Sequence, residues 1–134
     1  MSENWDELVQ AAMVALEHAY APYSGFKVGA AIRTSDGRVV AGCNVENAAF
    51  PVAICAERAA LAAAVSQGAR GFRALAVVTE AKEPSPPCGV CRQALVEFAP
   101  DLVVCSRTTS GVEARWSLEE LLAQPFTSVS LLRK

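Results

Sequence analysis

The sequence predicts an α/β domain in which helices cover both faces of a mixed β-sheet. A hairpin signal early in the chain, Asp36-Gly37, separates two strand-like runs. Two strand–helix–strand units follow it, and such units place strands in one sheet with helices packed against it. A chain of 134 residues suits one core, so we assign residues 1–134 to a single domain.

The first half of the chain begins with a predicted amphipathic helix that covers one face of the sheet and ends before Pro22. Its apolar residues recur at spacings of three and four; they are Trp5, Leu8, Ala12, Leu16 and Ala19. The runs 28–34 and 39–45 flank the Asp-Gly pair and predict two antiparallel strands.

The middle of the chain alternates helix and strand patterns. An alanine-rich helix is predicted from residue 54 to about residue 67, with Gly68 as a left-handed cap. The continuous apolar run 72–79 predicts a buried central strand. Residues 88–98 then predict a second helix, which Pro100 stops.

The last part of the chain predicts another hairpin and a short helix. The runs 102–106 and 112–116 flank the turn residues 109–111. Ser117 and Glu120 have the spacing of a capping box, which marks the start of the last helix.

Composition argues against two classes of partner. The 12 Lys and Arg residues are outnumbered by 14 Asp and Glu, for a net charge of −2, whereas nucleic-acid binding depends on basic clusters. No apolar run approaches the roughly 20 residues that span a bilayer, and the polar N-terminus is unlike a signal sequence. We therefore expect a cytoplasmic protein that binds a small neutral molecule, and neither nucleic acid nor membrane.

Three of the five cysteines have the spacing of metal ligands. Cys88 and Cys91 are three residues apart, so both sulfurs lie on one side of the first turn of a helix, and Cys55 begins the preceding helix. Three thiolates leave one zinc coordination position for water, whereas a structural site has four protein ligands. Glu57 can handle the protons of that water. This arrangement predicts a hydrolytic zinc enzyme.

Zinc deaminases combine a His or Cys ligand, a catalytic Glu and a Pro-Cys-x-x-Cys segment. The sequence resembles the small, homotetrameric cytidine deaminases of pyrimidine salvage over roughly residues 5–126, through the segments 19–24, 42–48 and 88–93. This resemblance implies a three-layer α/β/α sandwich with a five-stranded mixed sheet. It also implies one Zn²⁺ per subunit, active sites shared between subunits, and deamination of cytidine and 2′-deoxycytidine to uridine and 2′-deoxyuridine.

The resemblance also assigns roles near the metal. It makes Glu57 the general acid and base. Three thiolates leave zinc with a net negative charge, so a cation is expected to compensate, and Arg58 and Arg92 are the candidates. We favour Arg58, because cytidine deaminases with three Cys ligands carry an Arg at that position.

Asn44 and Glu46 occupy alternate positions at the end of a predicted strand, so their side chains point to one face. The resemblance implies that they bind the ribose 3′-hydroxyl. A carboxylate at this point repels a phosphate, which favours a free nucleoside over a nucleotide.

Five further positions resemble substrate contacts. Phe26 matches an aromatic that packs against the nucleoside, while Ala48 and Ala56 match backbone contacts. Phe126 resembles a phenylalanine that a neighbouring subunit places over the pyrimidine. Many relatives have Tyr where this chain has Phe50, so a hydroxyl donor is missing.

Several alternatives stay open at this stage. One is a deaminase of another cytosine compound, such as the blasticidin S deaminases; others are a nucleic-acid deaminase, a structural zinc module and a redox Cys pair. The single histidine, His18, lies among polar residues on the first predicted helix, where a surface position is expected. Cys43 and Cys105 fall within strand-like runs and are expected in the core.

Overall fold

The computed structural model describes residues 2–132 and contains one five-stranded mixed sheet, as predicted. The strand order is β2-β1-β3-β4-β5. The β3–β4 pair is parallel, and the other neighbouring strands are antiparallel. The strands are β1 (Val28–Thr34), β2 (Val39–Cys43), β3 (Phe72–Thr79), β4 (Val103–Thr108) and β5 (Glu113–Ser117).

Helices pack on both faces of the sheet, which confirms the predicted layers. The helices of the described chain are α1 (Trp5–Leu16), α2 (Ala56–Ser66), α3 (Gly89–Val96), α4 (Leu118–Leu121) and α5 (Ser128–Leu132), with a 3₁₀ turn at Phe50–Val52. Helix α1 and the sheet enclose one buried cluster, which includes Leu8, Ala31 and Cys105. Helices α2, α3 and α4 enclose a larger cluster on the opposite face.

The turn and capping residues predicted from the sequence have the expected conformations and hydrogen bonds. Gly37 and Gly68 have φ values of 95° and 97°, in the left-handed region that favours glycine. Gly37 closes the β1–β2 hairpin, and Gly68 follows α2. Ser117 and Glu120 form the predicted capping box at the start of α4.

Several predicted element ends differ from the structure, including the end of β4, which extends to Thr108 instead of residue 106, and two short elements were not predicted. Helix α1 ends at Leu16, before Ala19, because the chain turns there and the Tyr20 N–H donates to the Asn44 carbonyl, 3.0 Å away. Strand β2 ends at Cys43, and Val45 instead forms isolated bridges with Tyr20 and Ile54. The 3₁₀ turn and α5 are short elements that the sequence pattern did not reveal.

Two glycines in neighbouring strands let helices approach the sheet closely on opposite faces. A Cβ on Gly29 would lie 1.9 Å from the Ala12 carbonyl oxygen of α1. A Cβ on Gly42 would lie 2.5 Å from the Ala60 backbone nitrogen of α2. Both obstacles are backbone atoms, which cannot move without shifting a helix.

Among residues 2–132, every helix is too short or too polar to cross a lipid bilayer.

We predict that Gly42→Ala pushes α2 away from the sheet and lowers the free energy of unfolding by about 1–3 kcal/mol, the usual cost of overpacking a core. Thermal and chemical denaturation measure this loss. Ala41→Ser, at the exposed neighbouring position of β2, is the matched control and should leave the melting temperature unchanged. Equal stabilities for Gly42→Ala and the wild type would contradict the close approach.

Candidate metal centre and adjoining cavity

Strand directions bring the N-termini of α2 and α3 to one edge of the sheet. Strands β2 and β3 both pair antiparallel with β1, so they run in the same direction, and β4 runs parallel to β3. Helix α2 follows the end of β2, and α3 follows the end of β3. Both helices therefore begin outside the carboxyl ends of these strands, where α/β folds bind their ligands.

The three predicted metal ligands meet at this edge. Cys55 and Cys88 are the N-cap residues of α2 and α3, and Cys91 lies in the first turn of α3. The Cys55 Sγ lies 3.8 Å from the Cys88 Sγ, which lies 3.5 Å from the Cys91 Sγ. Three sulfurs on a tetrahedral zinc ion with Zn–S bonds of about 2.3 Å would be about 3.8 Å apart. The trio fits Zn²⁺ with little adjustment.

The cluster contains three ligands and no more among residues 2–132. Its sulfur atoms all lie within 4.8 Å of one another, and no described His, Asp or Glu side chain joins them. His18 is exposed just beyond α1, as expected. Cys105 is buried in the core as predicted, whereas Cys43 is only half-buried. A four-ligand structural zinc site therefore lacks its fourth residue here.

The surroundings of Cys55 favour its thiolate form. Hydrogen bonds from the Cys91 thiol and from Arg58 lower the pKa of Cys55 to about 5. Sharing that hydrogen bond raises the pKa of Cys91. Since α2 and α3 both start at this cluster, their N-terminal dipoles also favour negative charge. Thiolate is the form that binds a metal ion.

Of the two arginines considered for charge compensation, Arg58 is the one that reaches a sulfur. Its Nη2 atom lies 3.7 Å from the Cys55 Sγ, and contact with Cys55 raises the pKa of Arg58. Arg92 instead donates to the carbonyl oxygens of Pro87 and Leu121, at 2.8 and 2.7 Å. Arg92 therefore joins the residue before the α3 N-cap to the end of α4.

Glu57 is buried beside the metal cluster without belonging to it. Only 6% of its surface is exposed, and burial raises its pKa to about 7. A carboxyl group with a pKa close to neutral both accepts and releases protons readily at neutral pH. The position of Glu57 in the first turn of α2, two residues after Cys55, fixes its side chain relative to the sulfurs.

A cavity of about 420 Å³ joins the metal cluster to most of the predicted substrate contacts. Two of the sulfur ligands, Cys55 and Cys88, line it together with Glu57 and Arg58. Its wall also includes Phe26, Asn44, Glu46 and Phe50, all named from the sequence. The carboxyl ends of β2 and β3 flank the beginning of β1 in the sheet, and this order brings the side chains together.

Asn44 and Glu46 line the cavity side by side, and both also hold the segment that carries Phe26. Asn44 Nδ2 donates to the Phe26 carbonyl at 2.8 Å, and the Val28 N–H donates to Asn44 Oδ1 at 2.9 Å. Glu46 Oε1 accepts from the N–H groups of Tyr23 and Ser24, at 2.9 and 3.1 Å. These bonds to backbone were not foreseen from the sequence.

The other three predicted contacts, Ala48, Ala56 and Phe126, do not line the cavity. Ala56 is completely buried, so a ligand can reach only its backbone, and Ala48 is exposed. Phe50 is 74% exposed and forms an edge-to-face pair with Tyr23, with ring centroids 6.3 Å apart. Phe126 is 60% exposed and does not line the cavity of its own chain; its carbonyl accepts from Gln93.

Sequence reasoning did not name several of the residues that line the cavity. Thr79 ends β3, and Ser85 and Pro86 belong to the loop before α3. The approach of that loop to the cavity depends on how β3 and α3 are placed, which no local sequence pattern shows. Ser24 was also missed, although it lies in a segment that resembled a known family.

The fold, the three-cysteine cluster and the adjoining cavity together define a protein of the zinc-hydrolase type. Residues 2–107 match the family model described as the cytidine and deoxycytidylate deaminase zinc-binding region. The chain belongs to this family.

Known members show how extensive the similarity is. A cytidine deaminase of Halalkalibacterium halodurans is 45% identical over 122 residues, covering 90% of this chain and 92% of the relative. The crystal structure of cytidine deaminase from Burkholderia pseudomallei has a TM-score of 0.88 at 46% identity, covering 94% of this chain and all of that one. A blasticidin-S deaminase of Bacillus cereus is 32% identical over 108 residues, covering 75% and 76%.

We predict that Arg58→Ala keeps part of its zinc but loses roughly 10-fold to 100-fold in turnover or metal affinity, the usual effect of removing a partner of a metal ligand. Without the guanidinium, the charge of the thiolates is no longer compensated. Zinc content and turnover are measured on the same samples. Arg92→Ala removes a guanidinium that contacts no sulfur and serves for comparison, and wild-type turnover and zinc content in Arg58→Ala would contradict the assignment.

Proposed function

We propose that this protein catalyses the hydrolytic deamination of cytidine and 2′-deoxycytidine in pyrimidine salvage. Water and the nucleoside are consumed, and uridine or 2′-deoxyuridine and ammonia are released. The observation that carries this proposal is the single cavity that holds two sulfurs of a three-thiolate cluster, the buried Glu57 and the pair Asn44 and Glu46. Membership of the deaminase family supports the same conclusion.

Cys55, Cys88 and Cys91 would hold Zn²⁺, which supplies Lewis acidity that makes a water molecule nucleophilic at neutral pH. Glu57 removes a proton from the attacking water and delivers it to N3 of the pyrimidine as C4 is attacked. It then takes the remaining proton from the new C4 hydroxyl and transfers it to the amine as the C4–N bond breaks, so that the C4 carbonyl forms and ammonia leaves. Burial in the first turn of α2 keeps bulk water from competing for these protons.

The polar end of the cavity suits the sugar. A carboxylate has about four lone-pair sites, and Glu46 uses three of them to accept from Tyr23 and Ser24. Asn44 retains one amide hydrogen and one lone pair beyond its bonds to Phe26 and Val28. The pair therefore still has capacity to bind a sugar hydroxyl, as we propose for the 3′ position.

Aromatic and backbone groups complete the proposed substrate site. Phe26 would pack against the nucleoside, and the backbone of Ala56 and Ala48 would contact it. Phe50 provides apolar surface without the hydroxyl that many relatives carry there. Glu46 is ionised, since hydrogen bonds from the Ser24 hydroxyl and backbone lower its pKa, and its charge disfavours a phosphorylated substrate.

We further propose a cytoplasmic homotetramer in which a neighbouring subunit supplies Phe126. The exposure of Phe126 outside the cavity of its own chain supports a role on another subunit. Thiolates that hold zinc have to stay reduced, and this supports a cytosolic location.

The direct test uses purified protein with measured zinc content. We expect an ultraviolet change and ammonia release with cytidine and deoxycytidine, and little with cytidine monophosphate or free cytosine. Zinc removal by a chelator should abolish turnover, and added zinc should restore it. Preferred turnover of blasticidin S would favour that alternative, and bound zinc without any deamination would favour a structural zinc module.

We predict that Glu57→Gln stays folded and binds zinc but loses roughly 100-fold or more in turnover, the contribution expected from a positioned acid–base group. The amide has the same shape but cannot shuttle protons. Glu97→Gln is the matched control on α3's C-cap and should retain full activity. Near wild-type turnover by Glu57→Gln would assign proton transfer to another group.

A mixed-subunit experiment tests whether sites are shared. We expect Glu57→Gln and Phe126→Ala homo-oligomers each to have low activity. Oligomers reassembled from both variants should recover activity, since some sites then combine an intact Glu57 with an intact Phe126. Activity that never exceeds the average of the two parents would show that Phe126 does not act across a subunit boundary.

A further inference from the structure

Ser24 lines the cavity, and its hydroxyl has no role in the proposed chemistry. Ser24 Oγ donates to Glu46 Oε2 and accepts from the Phe26 N–H at 3.0 Å. Ser24 also donates its own N–H to Glu46 Oε1 at 3.1 Å. The Ser24 side chain thus connects the Glu46 carboxylate to the backbone of Phe26, and both of these residues line the cavity.

Both backbone polar groups of Phe26 form hydrogen bonds with side chains. Its N–H is bound by Ser24, and its carbonyl accepts from Asn44 Nδ2 at 2.8 Å. Gly25, between Ser24 and Phe26, has a φ of 71°, a conformation that few other residues adopt. The Ser24 bond therefore spans the tightest point of this segment and fixes the direction in which the Phe26 side chain leaves it.

We propose that Ser24 is a positioning residue for nucleoside binding, which acts by orienting the Glu46 carboxylate and by fixing Phe26. This inference rests on the proposed function of the same site. Ser24 contributes through Glu46 and Phe26 and takes no part in proton transfer, which belongs to Glu57. Loss of the hydroxyl therefore weakens substrate binding and leaves the chemical step intact.

The test compares Ser24→Ala with Ser24→Thr, which keeps the hydroxyl. For Ser24→Ala we expect the KM for cytidine to rise roughly tenfold or more, the scale of one lost hydrogen bond to a charged group. Its kcat should stay within about threefold of the wild type, as when binding alone is lost. Ser24→Thr should restore most of the KM. Ser110→Ala, which removes a hydroxyl bonded to Thr108 in the β4–β5 turn, is the matched control.

A double-mutant cycle tests whether Ser24 acts through Glu46. The effects of Ser24→Ala and Glu46→Gln on KM should be far from additive, because both remove the same interaction. An unchanged KM in Ser24→Ala, a loss confined to kcat, additive effects in the cycle, or an equal effect of Ser110→Ala would each overturn the inference.

Amide hydrogen exchange separates this inference from the proposed function. Without any substrate, Ser24→Ala should speed exchange across residues 23–28, and Ser24→Thr should not. Lack of cytidine turnover by the wild type would refute the proposed function, and the exchange result would still decide whether Ser24 fixes the segment. Unchanged exchange in Ser24→Ala would overturn the positioning role.

Discussion

The meeting of two helix N-termini at one edge of the sheet is the constraint on which the rest of the site depends. Cys55 caps α2 and Cys88 caps α3, so the 3.8 Å between their sulfurs is set by how both helices lie on the sheet. Gly42 permits the necessary closeness of α2, because any side chain there would meet the helix backbone. Metal binding would in turn join these helices, which links zinc to stability.

Glu57 and Arg58 are neighbours at the start of α2, and their charges partly balance each other beside the cysteine cluster. Burial and nearby thiolate charge both raise the pKa of Glu57, whereas Arg58 acts in the opposite direction. The guanidinium also contacts the Cys55 sulfur and so reduces the negative charge that zinc receives from three thiolates. The start of α2 therefore supplies a candidate ligand, the proposed proton carrier and the proposed compensating cation.

Local patterns predicted the elements well, whereas contacts distant in sequence escaped them. The limits of β1 and β3 matched the predicted runs, since β-formers and turn residues determine such limits locally. The end of β2 was placed two residues late, because Asn44 and Val45 leave the strand to bond with Tyr20 and Ile54. The cysteine spacing predicted the metal cluster, but no local pattern indicated that Asn44 and Glu46 hold the Phe26 segment.

Asn44 and Glu46 both line the cavity and form hydrogen bonds with backbone groups, so their side chains are fixed before a ligand binds. Side chains that are already fixed by bonds to backbone lose little conformational entropy when a ligand arrives, so more of each new hydrogen bond appears as affinity. The bonds to Tyr23 and Val28 also leave only a few hydrogen-bonding positions of these side chains free for a ligand. The contacts that close the fold at the start of β1 would thus also prepare these two side chains for the sugar that we propose they bind.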